Sequence, residues 1–509
     1  MKALLMYRNR DIDLKEKYGP HEEALMQDLE LGTLFNAMGL GDKLLFEVAK
    51  TAVLCGLSDP VAILYRQNIL RDCLSNPSIV RDIYAIAVES IEKEKKIHWG
   101  FLSDYPDAIL RRAIEVLEMF VGMLRILRST VDDHAGKFQS EGFTTLFETL
   151  RRELDDNYFV TIGDHLRQLK FRGGVLISAG LGKGNKGNNY VLRKPQERDA
   201  NWIAQFFDRS KPVYTFRLHP RDESGARALS ELRDRGIGLV ANALAQSTDH
   251  ILSFFRLLRT ELGFYIGCLN LYGKLDQKGY AVSFPEPVGP GDRALTSIGL
   301  YDPCLALTVA QGIVSNDVNA DGKDFMIITG ANQGGKSTFL RSLGVAQLMM
   351  QCGMFVPAES FRSNVCEGVF THYKREEDST MKSGKFDEEL SRMSDIVDNL
   401  RSNSLVLFSE SFAATNELEG SEIASQIVCA LLEKRVKVLF VTHLYEFARR
   451  MNDKGMENAV FLRAERQSDG TRTFRVVEGE PLETSYGKDL YNRIFVGAVS
   501  SEIAEHSRS

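Results

Sequence analysis

Apolar and polar residues are spaced in two different ways along this chain. From about residue 28 to residue 275, apolar residues recur every three or four positions, which is the spacing of a buried helix face. The spacing is clearest at 108–127 and 240–272, and Asp59-Pro60 interrupts it near the start. The aromatic residues of 240–272 fit a packed helix face better than a cofactor pocket. The first half therefore predicts a bundle of long packed helices.

The second half alternates short apolar runs with longer amphipathic stretches. Prolines and glycines at 285–291 end the helical half. Three buried strands are predicted, at 324–328, 404–408 and 438–441. An apolar helix is predicted at 339–350. This alternation is typical of an α/β nucleotide-binding domain, so we predict a multidomain fold with a helical part at 1–275 and an α/β part at 276–509.

A glycine-rich segment joins the first predicted strand of the α/β part to the helix after it. It reads Gly330-Ala331-Asn332-Gln333-Gly334-Gly335-Lys336-Ser337-Thr338 and fits the pattern G-x-x-x-x-G-K-[ST]. Glycines here let consecutive N–H groups point into one concavity, and the helix adds the positive end of its dipole. Lys336 would reach the β- and γ-phosphates, and the Ser337 hydroxyl would occupy one position on Mg²⁺. The alternative is a glycine turn that only joins the strand to the helix, but such a turn would have a lysine and a hydroxyl at these two positions only by chance. The segment therefore predicts a nucleoside triphosphate site.

Two further predicted strands end in residues that suit hydrolysis. One ends in Ser409-Glu410 and the other in Thr442-His443. A carboxylate at a strand end beside the γ-phosphate can orient or deprotonate the attacking water. A histidine there can sense or polarise the phosphate, although alone it would more often be structural. We therefore predict Glu410, His443 and Lys336 as the catalytic residues.

Length, net charge and cysteine content exclude several classes of protein. At 509 residues the chain exceeds what one hydrophobic core usually organises. Its net charge is −6, so any nucleic-acid surface must be local. Its seven cysteines are scattered without a C-x-x-C pair, a pattern that suits a reducing compartment and no structural zinc. We see neither a signal-peptide core nor an apolar run of membrane-spanning length, and expect a cytoplasmic protein without a membrane partner.

One local segment is strongly basic. Between His165 and Lys194 the sequence has no acidic residue, and Phe171 and Tyr190 lie among the cations. The cations are Arg167, Lys170, Arg172, Lys183, Lys186, Arg193 and Lys194. Two short strands around a glycine- and lysine-rich turn predict a small basic β-hairpin insert near 171–194. Because cations contact phosphates and aromatic rings stack on bases, we expect DNA to bind here; the alternative is a solvated hairpin with a mobile tip.

Together these motifs resemble the ATPase domain of the MutS family of DNA mismatch-repair proteins, a subgroup of the ABC-type ATPases. The resemblance rests on these stretches: Thr329 to Thr338, Gly353 with Val356-Pro357-Ala358, Glu410, Thr442-His443, Ser485-Tyr486-Gly487, Asp302-Pro303 and Asn316. It is strong across 295–490. Over 28–275 it is weaker and rests on the Tyr65-Arg66-Gln67 helix and on long helices similar to the family's core and lever domains.

The resemblance implies an all-α core and lever region followed by an α/β P-loop ATPase domain of the ABC type. It further implies Mg²⁺-dependent hydrolysis of ATP to ADP and phosphate, DNA of low sequence specificity as a partner, and a homodimer stabilised by ATP. Three departures from the family pattern stand out. Ser409 replaces an aspartate that helps to hold Mg²⁺, so the candidate metal ligands are Ser337 and Ser409, and metal binding or turnover is expected to be weak. The signature serine that would touch the partner's ATP is shifted, which leaves Ser383 and Lys385 as candidates. The chain also starts almost directly at the core, without the family's mismatch-reading domain.

These observations lead to one prediction of function and two alternatives. We expect a MutS-related ATPase that binds DNA in repair or recombination without reading mismatches directly. A protein-interaction switch that is controlled by nucleotide and does not touch DNA is the first alternative. A weakly hydrolysing ATP-binding scaffold is the second, and Ser409 is the residue that favours it.

Overall fold

A computed structural model describes residues 2–16, 18–19, 21–98, 105–172, 174–194, 214–310, 312–375, 384–467 and 472–481. The chain forms two compact units. One unit comprises residues 1–3, 78–138 and 143–259, and the other comprises 4–77, 139–142 and 260–509. The multidomain organisation is confirmed, whereas the domain boundary predicted near residue 275 stays a prediction.

In the described part of the chain, nine helices precede residue 280. They are α1 (Glu22–Asp28), α2 (Leu31–Gly39), α3 (Lys43–Leu54), α4 (Pro60–Ser75), α5 (Pro77–His98), α6 (Pro106–His134), α7 (Glu141–Glu153), α8 (Asp156–Leu169) and α9 (Glu223–Gln277). The break before α4 has a local cause: Asp59 caps the N–H of Val61, and Pro60 occupies the first turn. None of the described helices combines the length and hydropathy needed to cross a membrane.

The first unit packs around three of these helices. Leu110 and Ile114 of α6, Leu166 of α8 and Ile237 of α9 are all buried in one apolar cluster. After α8 the chain forms two antiparallel strands, β1 (Leu176–Leu181) and β2 (Gly187–Arg193). The predicted hairpin is therefore present.

The second unit contains the remaining strands and helices. The strands are β3 (Glu286–Val288), β4 (Leu295–Leu300), β5 (Asn316–Asn319), β6 (Phe325–Thr329), β7 (Ser360–Asn364), β8 (Val369–Tyr373), β9 (Leu405–Ser409), β10 (Lys437–Val441), β11 (Ala459–Arg466) and β12 (Arg472–Glu478). The helices are α10 (Pro303–Thr308), α11 (Lys336–Gln351), α12 (Lys385–Asn399), α13 (Glu417–Glu433) and α14 (Tyr445–Asp453).

A six-stranded sheet forms the centre of this unit, in the order β12-β11-β6-β10-β9-β8. All neighbours are parallel except β12, which runs antiparallel to β11 at one edge. Every residue of β6, β9 and β10 is buried, which explains why these strands appear in the sequence as uninterrupted apolar runs. Phe408 and Phe440 stack on adjacent strands with ring centroids 4.8 Å apart. A second sheet has the order β3-β7-β4-β5.

The first residues of the second unit are anchored by a buried carboxylate. Glu261 of α9 accepts hydrogen bonds from the backbone N–H groups of Leu5 (2.8 Å), Met6 (2.6 Å) and Ile12 (2.6 Å). Burial raises the pKa of Glu261 to about 7. Arg66 of α4 donates to the carbonyl oxygens of Met6 (2.7 Å) and Cys352 (3.2 Å). The N-terminal segment is thereby tied to α9, to α4 and to the residue that follows α11.

Candidate nucleotide site

The predicted catalytic residues meet at one edge of the six-stranded sheet. In β10, Val441 pairs with Ile328 of β6 on one side and with Ser409 of β9 on the other. The carboxyl ends of the three parallel strands are therefore level. Gly330, Glu410 and Thr442 are each the next residue after one of these strands, and His443 follows Thr442. A crevice at the carboxyl edge of a parallel sheet is the usual ligand-binding position in such folds.

The loop between β6 and α11 requires glycine for steric reasons. Gly330 and Gly335 have φ angles of 114° and 88°, in the left-handed region. At Gly334 a Cβ would lie 2.8 Å from the Cβ of Ala464 and 2.9 Å from the carbonyl oxygen of Ala331. Gln333 is also left-handed, with φ 58°, and its side-chain oxygen accepts a 2.7 Å hydrogen bond from Arg472. Arg472 of β12 therefore holds the loop from outside, a contact that no sequence motif indicates.

Lys336, the first residue of α11, turns back over this loop. Its Nζ donates to the carbonyl oxygens of Gly330 (3.0 Å) and Ala331 (2.9 Å). The residue is only 4% exposed, and burial lowers its pKa to about 8, an effect that the charge of Glu410 opposes. An ammonium group that is held by two carbonyls inside a glycine loop is placed to exchange them for phosphate oxygens.

Glu410 and His443 form a direct pair. His443 Nε2 lies 2.7 Å from Glu410 Oε1 and donates to it, because an ionised carboxylate can only accept. This hydrogen bond is the main reason why the pKa of Glu410 lies below its ordinary value, and burial opposes it. Glu410 also has a left-handed backbone, with φ 55°, and its N–H donates to the carbonyl oxygen of Val441 (2.9 Å). The charged carboxylate is thus fixed in direction at neutral pH.

Ser337 and Ser409 face each other with their Oγ atoms 3.2 Å apart. Both were predicted as metal ligands, and their hydroxyls are oxygen donors of the kind that Mg²⁺ accepts. Neither hydroxyl carries a charge. Among the described residues no group of three or more His, Cys, Asp or Glu side chains could hold a metal ion. The hydroxyl pair therefore fits Mg²⁺ only as a minor part of a coordination shell.

A cavity of about 290 Å³ opens beside the loop. It is lined by Thr338 and Gly335 on the loop side and by residues of three further segments. These segments contribute Tyr301, Asp302, Ile313, Val314, Asn316 and Phe474. Asp302 is buried, caps α10 and accepts from Arg341 Nε (2.5 Å), so the wall of the cavity is tied to α11. Asp302 and Asn316, which belong to the stretches that carry the family resemblance, both line this cavity, whereas no sequence motif indicates Phe474.

The two residues predicted to contact a second subunit are only partly covered by the structure. Lys385 is the first residue of α12, directly after Gly384. Ser383 lies outside the described residues, and so do Ser485, Tyr486 and Gly487. The role of Ser383 and Lys385 remains a prediction.

The seven predicted DNA-binding cations are spread over α8 and the hairpin of the first unit. Arg167 pairs with Asp164, one turn earlier in α8, and Lys170 pairs with Glu118 of α6 at 2.6 Å. Arg193 Nε donates to the Ser178 hydroxyl across the hairpin at 2.8 Å. The remaining four, Arg172, Lys183, Lys186 and Lys194, are all exposed. The ion pair of Lys170 could not be predicted from spacing along the sequence, because Glu118 lies 52 residues earlier in the chain.

Two known sequence families match the chain. Residues 58–278 match the family described as "MutS2 N-terminal domain", and residues 326–505 match "MutS domain V". The DNA mismatch repair protein MutS of Thermotoga neapolitana is 36% identical over 220 residues, which are 43% of this chain and 27% of the relative. MutS protein homolog 4 of Homo sapiens is 27% identical over 227 residues, 44% of this chain and 23% of the relative. The matched part thus spans about a quarter of each of these relatives.

Proposed function

The chain belongs to the MutS family, and from that premise we propose that it binds and hydrolyses ATP and binds DNA in repair or recombination. The observation that carries this proposal is the convergence of Lys336, Glu410 and His443 at the level carboxyl ends of three parallel strands. Residues 276–509 would then be a P-loop ATPase domain of the ABC type, and residues 1–275 would supply the core and lever helices.

ATP binding would use the loop and the cavity beside it. The backbone N–H groups of 330–335 and the start of α11 offer a positive concavity for the phosphates, and Lys336 adds a full charge. The base and ribose would occupy the cavity between Tyr301 and Phe474, which opens next to the loop. With the base and ribose placed there, the terminal phosphate would point towards Glu410. The charge of Glu410 also acts on Lys336, because it raises the pKa of that lysine against the effect of burial.

Hydrolysis would depend on Glu410. Water adds to the γ-phosphorus, the bond to the β–γ bridging oxygen breaks, and ADP leaves. Because the pKa of Glu410 is lowered, the carboxylate is ionised at neutral pH and accepts a hydrogen bond from the water. A low pKa also makes it a weak base, so its main action is orientation, and His443 holds its Oε1 in place. Mg²⁺, held by Ser337, Ser409 and substrate oxygens, would neutralise charge on the phosphates.

DNA binding would use the exposed cations of the first unit. All seven cations of the set are exposed, among them Arg172, Lys183, Lys186 and Lys194, and Arg235 lies 5.9 Å from the ring centroid of Tyr190. Such a surface contacts phosphates and follows the backbone without reading base edges, so it would not discriminate a single mismatch. We further propose a homodimer that ATP stabilises through α12, with Lys385 at its start.

The test is DNA binding by the full chain at several salt concentrations, with and without ATP. Lys183→Gln with Lys186→Gln should weaken binding to every sequence and reduce the slope of log affinity against log salt by about one unit per lost phosphate contact. The matched control is Lys93→Gln with Lys95→Gln, two exposed lysines of α5 that pair with Glu89 and Glu92. If the wild type, the Lys183/Lys186 variant and the Lys93/Lys95 control all show the same salt dependence, the proposed DNA binding by these cations is refuted.

The alternative of a switch that binds another protein and not DNA is favoured by one observation. Arg167 and Lys170 already form ion pairs with acidic residues of the same unit, so the charges of two of the seven cations are compensated without DNA. The same titration separates the two functions, because a switch would retain nucleotide binding without salt-dependent retention on DNA. The alternative of a scaffold with slow turnover rests on Ser409 and would show tight ATP binding with negligible phosphate release.

A further inference from the structure

Glu410 and the second residue after it, Phe412, have an unusual backbone conformation. Glu410 and Phe412 both have left-handed backbones, with φ angles of 55° and 63°. Neither is a glycine, and a left-handed backbone at such residues is strained and persists only where the surrounding structure enforces it. Ser411 and Phe412 are completely buried. The residues that surround this turn therefore decide where the Glu410 side chain points.

His372 of β8 is the first of these surrounding residues. Its Nδ1 lies 2.8 Å from the Ser411 hydroxyl, and its ring stacks on Phe412 with centroids 5.3 Å apart and planes at 18°. Burial lowers the pKa of His372 to about 4, so the ring is neutral at physiological pH. Its Nε2 lies 2.9 Å from the carbonyl oxygen of Glu389, so a neutral ring with hydrogen on Nε2 donates there. The Ser411 hydroxyl also donates to the backbone carbonyl oxygen of His372 (2.5 Å), so its one hydrogen is shared between that oxygen and Nδ1.

Glu389 of α12 is the second. It is 3% exposed, and the nearby backbone N–H of Phe412 favours the charged form of its carboxylate and so lowers its pKa, against the effect of burial. Burial raises the pKa of Glu389, and its Oε2 has no hydrogen-bond partner among the described residues. Helix α12 thus contacts the turn after Glu410 twice, through the Glu389 carboxylate and through the Glu389 carbonyl by way of His372.

We propose that His372, Ser411 and Glu389 are positioning residues that set the direction of the Glu410 carboxylate and make it depend on the position of α12. This inference rests on the proposed ATPase function. The Glu389 carboxylate fixes the left-handed turn at Phe412, His372 fixes Ser411 from the side, and Glu410 precedes both. A displacement of α12 would move both contacts together and would redirect the carboxylate relative to the water.

The proposal predicts a particular kinetic signature. The described contacts of these three side chains do not involve the phosphate loop, so their removal should leave ATP affinity unchanged. Loss of orientation should lower kcat, by about tenfold to a hundredfold, a part of what a general base or water-orienting group contributes. A purely structural role would instead lower the melting temperature and affect binding and turnover alike.

The experiment measures ATP affinity, kcat, KM and melting temperature for the full chain and four variants. His372→Leu removes both polar contacts, whereas His372→Gln keeps a donor that reaches the Glu389 carbonyl. Ser411→Ala removes one hydroxyl and is the smallest change. Ser425→Ala is the matched control, because Ser425 is buried in α13 and its hydroxyl donates to the Ser421 carbonyl (2.8 Å).

We expect kcat to fall in His372→Leu and Ser411→Ala at unchanged ATP affinity, to recover at least threefold in His372→Gln, and to stay at the wild-type value in Ser425→Ala. Wild-type kcat in a folded Ser411→Ala protein would overturn the proposal, and so would equal losses in the Leu and Gln variants. A wild-type protein that binds no ATP or does not hydrolyse it would instead refute the proposed function. If His372→Leu fails to fold, Ser411→Ala alone decides.

Discussion

Lys336 offers the sharpest test of the nucleotide site, through the variant Lys336→Met, which keeps the length of the side chain and removes its charge. A hydrogen bond between an ammonium group and a phosphate contributes about 1.5–3 kcal/mol. In the protein without nucleotide, Nζ already donates to two loop carbonyls, and these bonds must be exchanged. The net loss should therefore lie near the lower end, about 1.5–2 kcal/mol, or roughly 10- to 30-fold in Kd at pH 7.

The same residue predicts how ATP affinity depends on pH. The pKa of Lys336 is lowered to about 8 in the free protein, and a bound phosphate would raise it again by stabilising the ammonium form. Binding then takes up a proton above that pH. Wild-type affinity should be constant below about pH 8 and should fall as the pH rises through this value, by at most about tenfold per pH unit. Lys336→Met should lack this fall.

The assay is an equilibrium titration with a fluorescent ATP analogue between pH 6.5 and pH 9.5 at constant Mg²⁺. Lys437→Met is the matched control: Lys437 is also buried with its pKa lowered to about 8, and its Nζ donates to Ala294 (3.0 Å) and Asn364 (2.6 Å), away from the loop. It should retain the affinity and the pH profile of the wild type. Equal affinities for wild type and Lys336→Met at pH 7, or an equally steep decline in both, would refute the assignment.

Glu410→Gln should bind ATP with wild-type affinity and release phosphate about a hundredfold more slowly, because the carboxylate acts on the water and not on the bound nucleotide. Ser409→Asp adds a carboxylate beside Ser337 and should lower the Kd for Mg²⁺ in the nucleotide complex about tenfold, measured by calorimetry; the neutral Ser409→Asn should leave it unchanged. ATP held by Glu410→Gln should shift sedimentation to a dimer, and Lys385→Ala should weaken that shift. A duplex with one G·T mismatch should bind as tightly as the matched duplex at fixed salt, and a preference of about tenfold or more would contradict a surface that only follows the backbone.

The edge that carries the site could be predicted because its signals are local. Buried parallel strands appear as apolar runs, and the residue after each run lies at the carboxyl edge wherever the strand is placed. The offsets between Gly330, Lys336 and Ser337 are likewise a property of one short loop. The order of the strands is not local. The sequence does not indicate that β10 lies between β6 and β9, which is what brings Glu410 to His443.

Polar contacts between distant segments could not be predicted for the same reason. Glu118 meets Lys170 only because α6 and α8 pack together, and Arg472 reaches Gln333 only because β12 returns to the edge of the sheet. His372 has no motif around it, since a histidine within an apolar strand resembles any buried polar residue. Only the structure shows that this strand lies beside the turn after Glu410, where His372 contacts Ser411.

The buried anchor of the N-terminal segment has a consequence for biosynthesis. The carboxylate that accepts the N–H of Leu5 belongs to a residue that is synthesised 256 positions later. At about 5–20 residues per second, translation reaches that residue roughly 13–50 s later. Through this interval Leu5 and Met6, which are fully buried in the folded protein, have no native partner in α9. The nascent chain therefore exposes these two apolar side chains until Glu261 is made, and transiently exposed apolar surface of this kind favours chaperone binding.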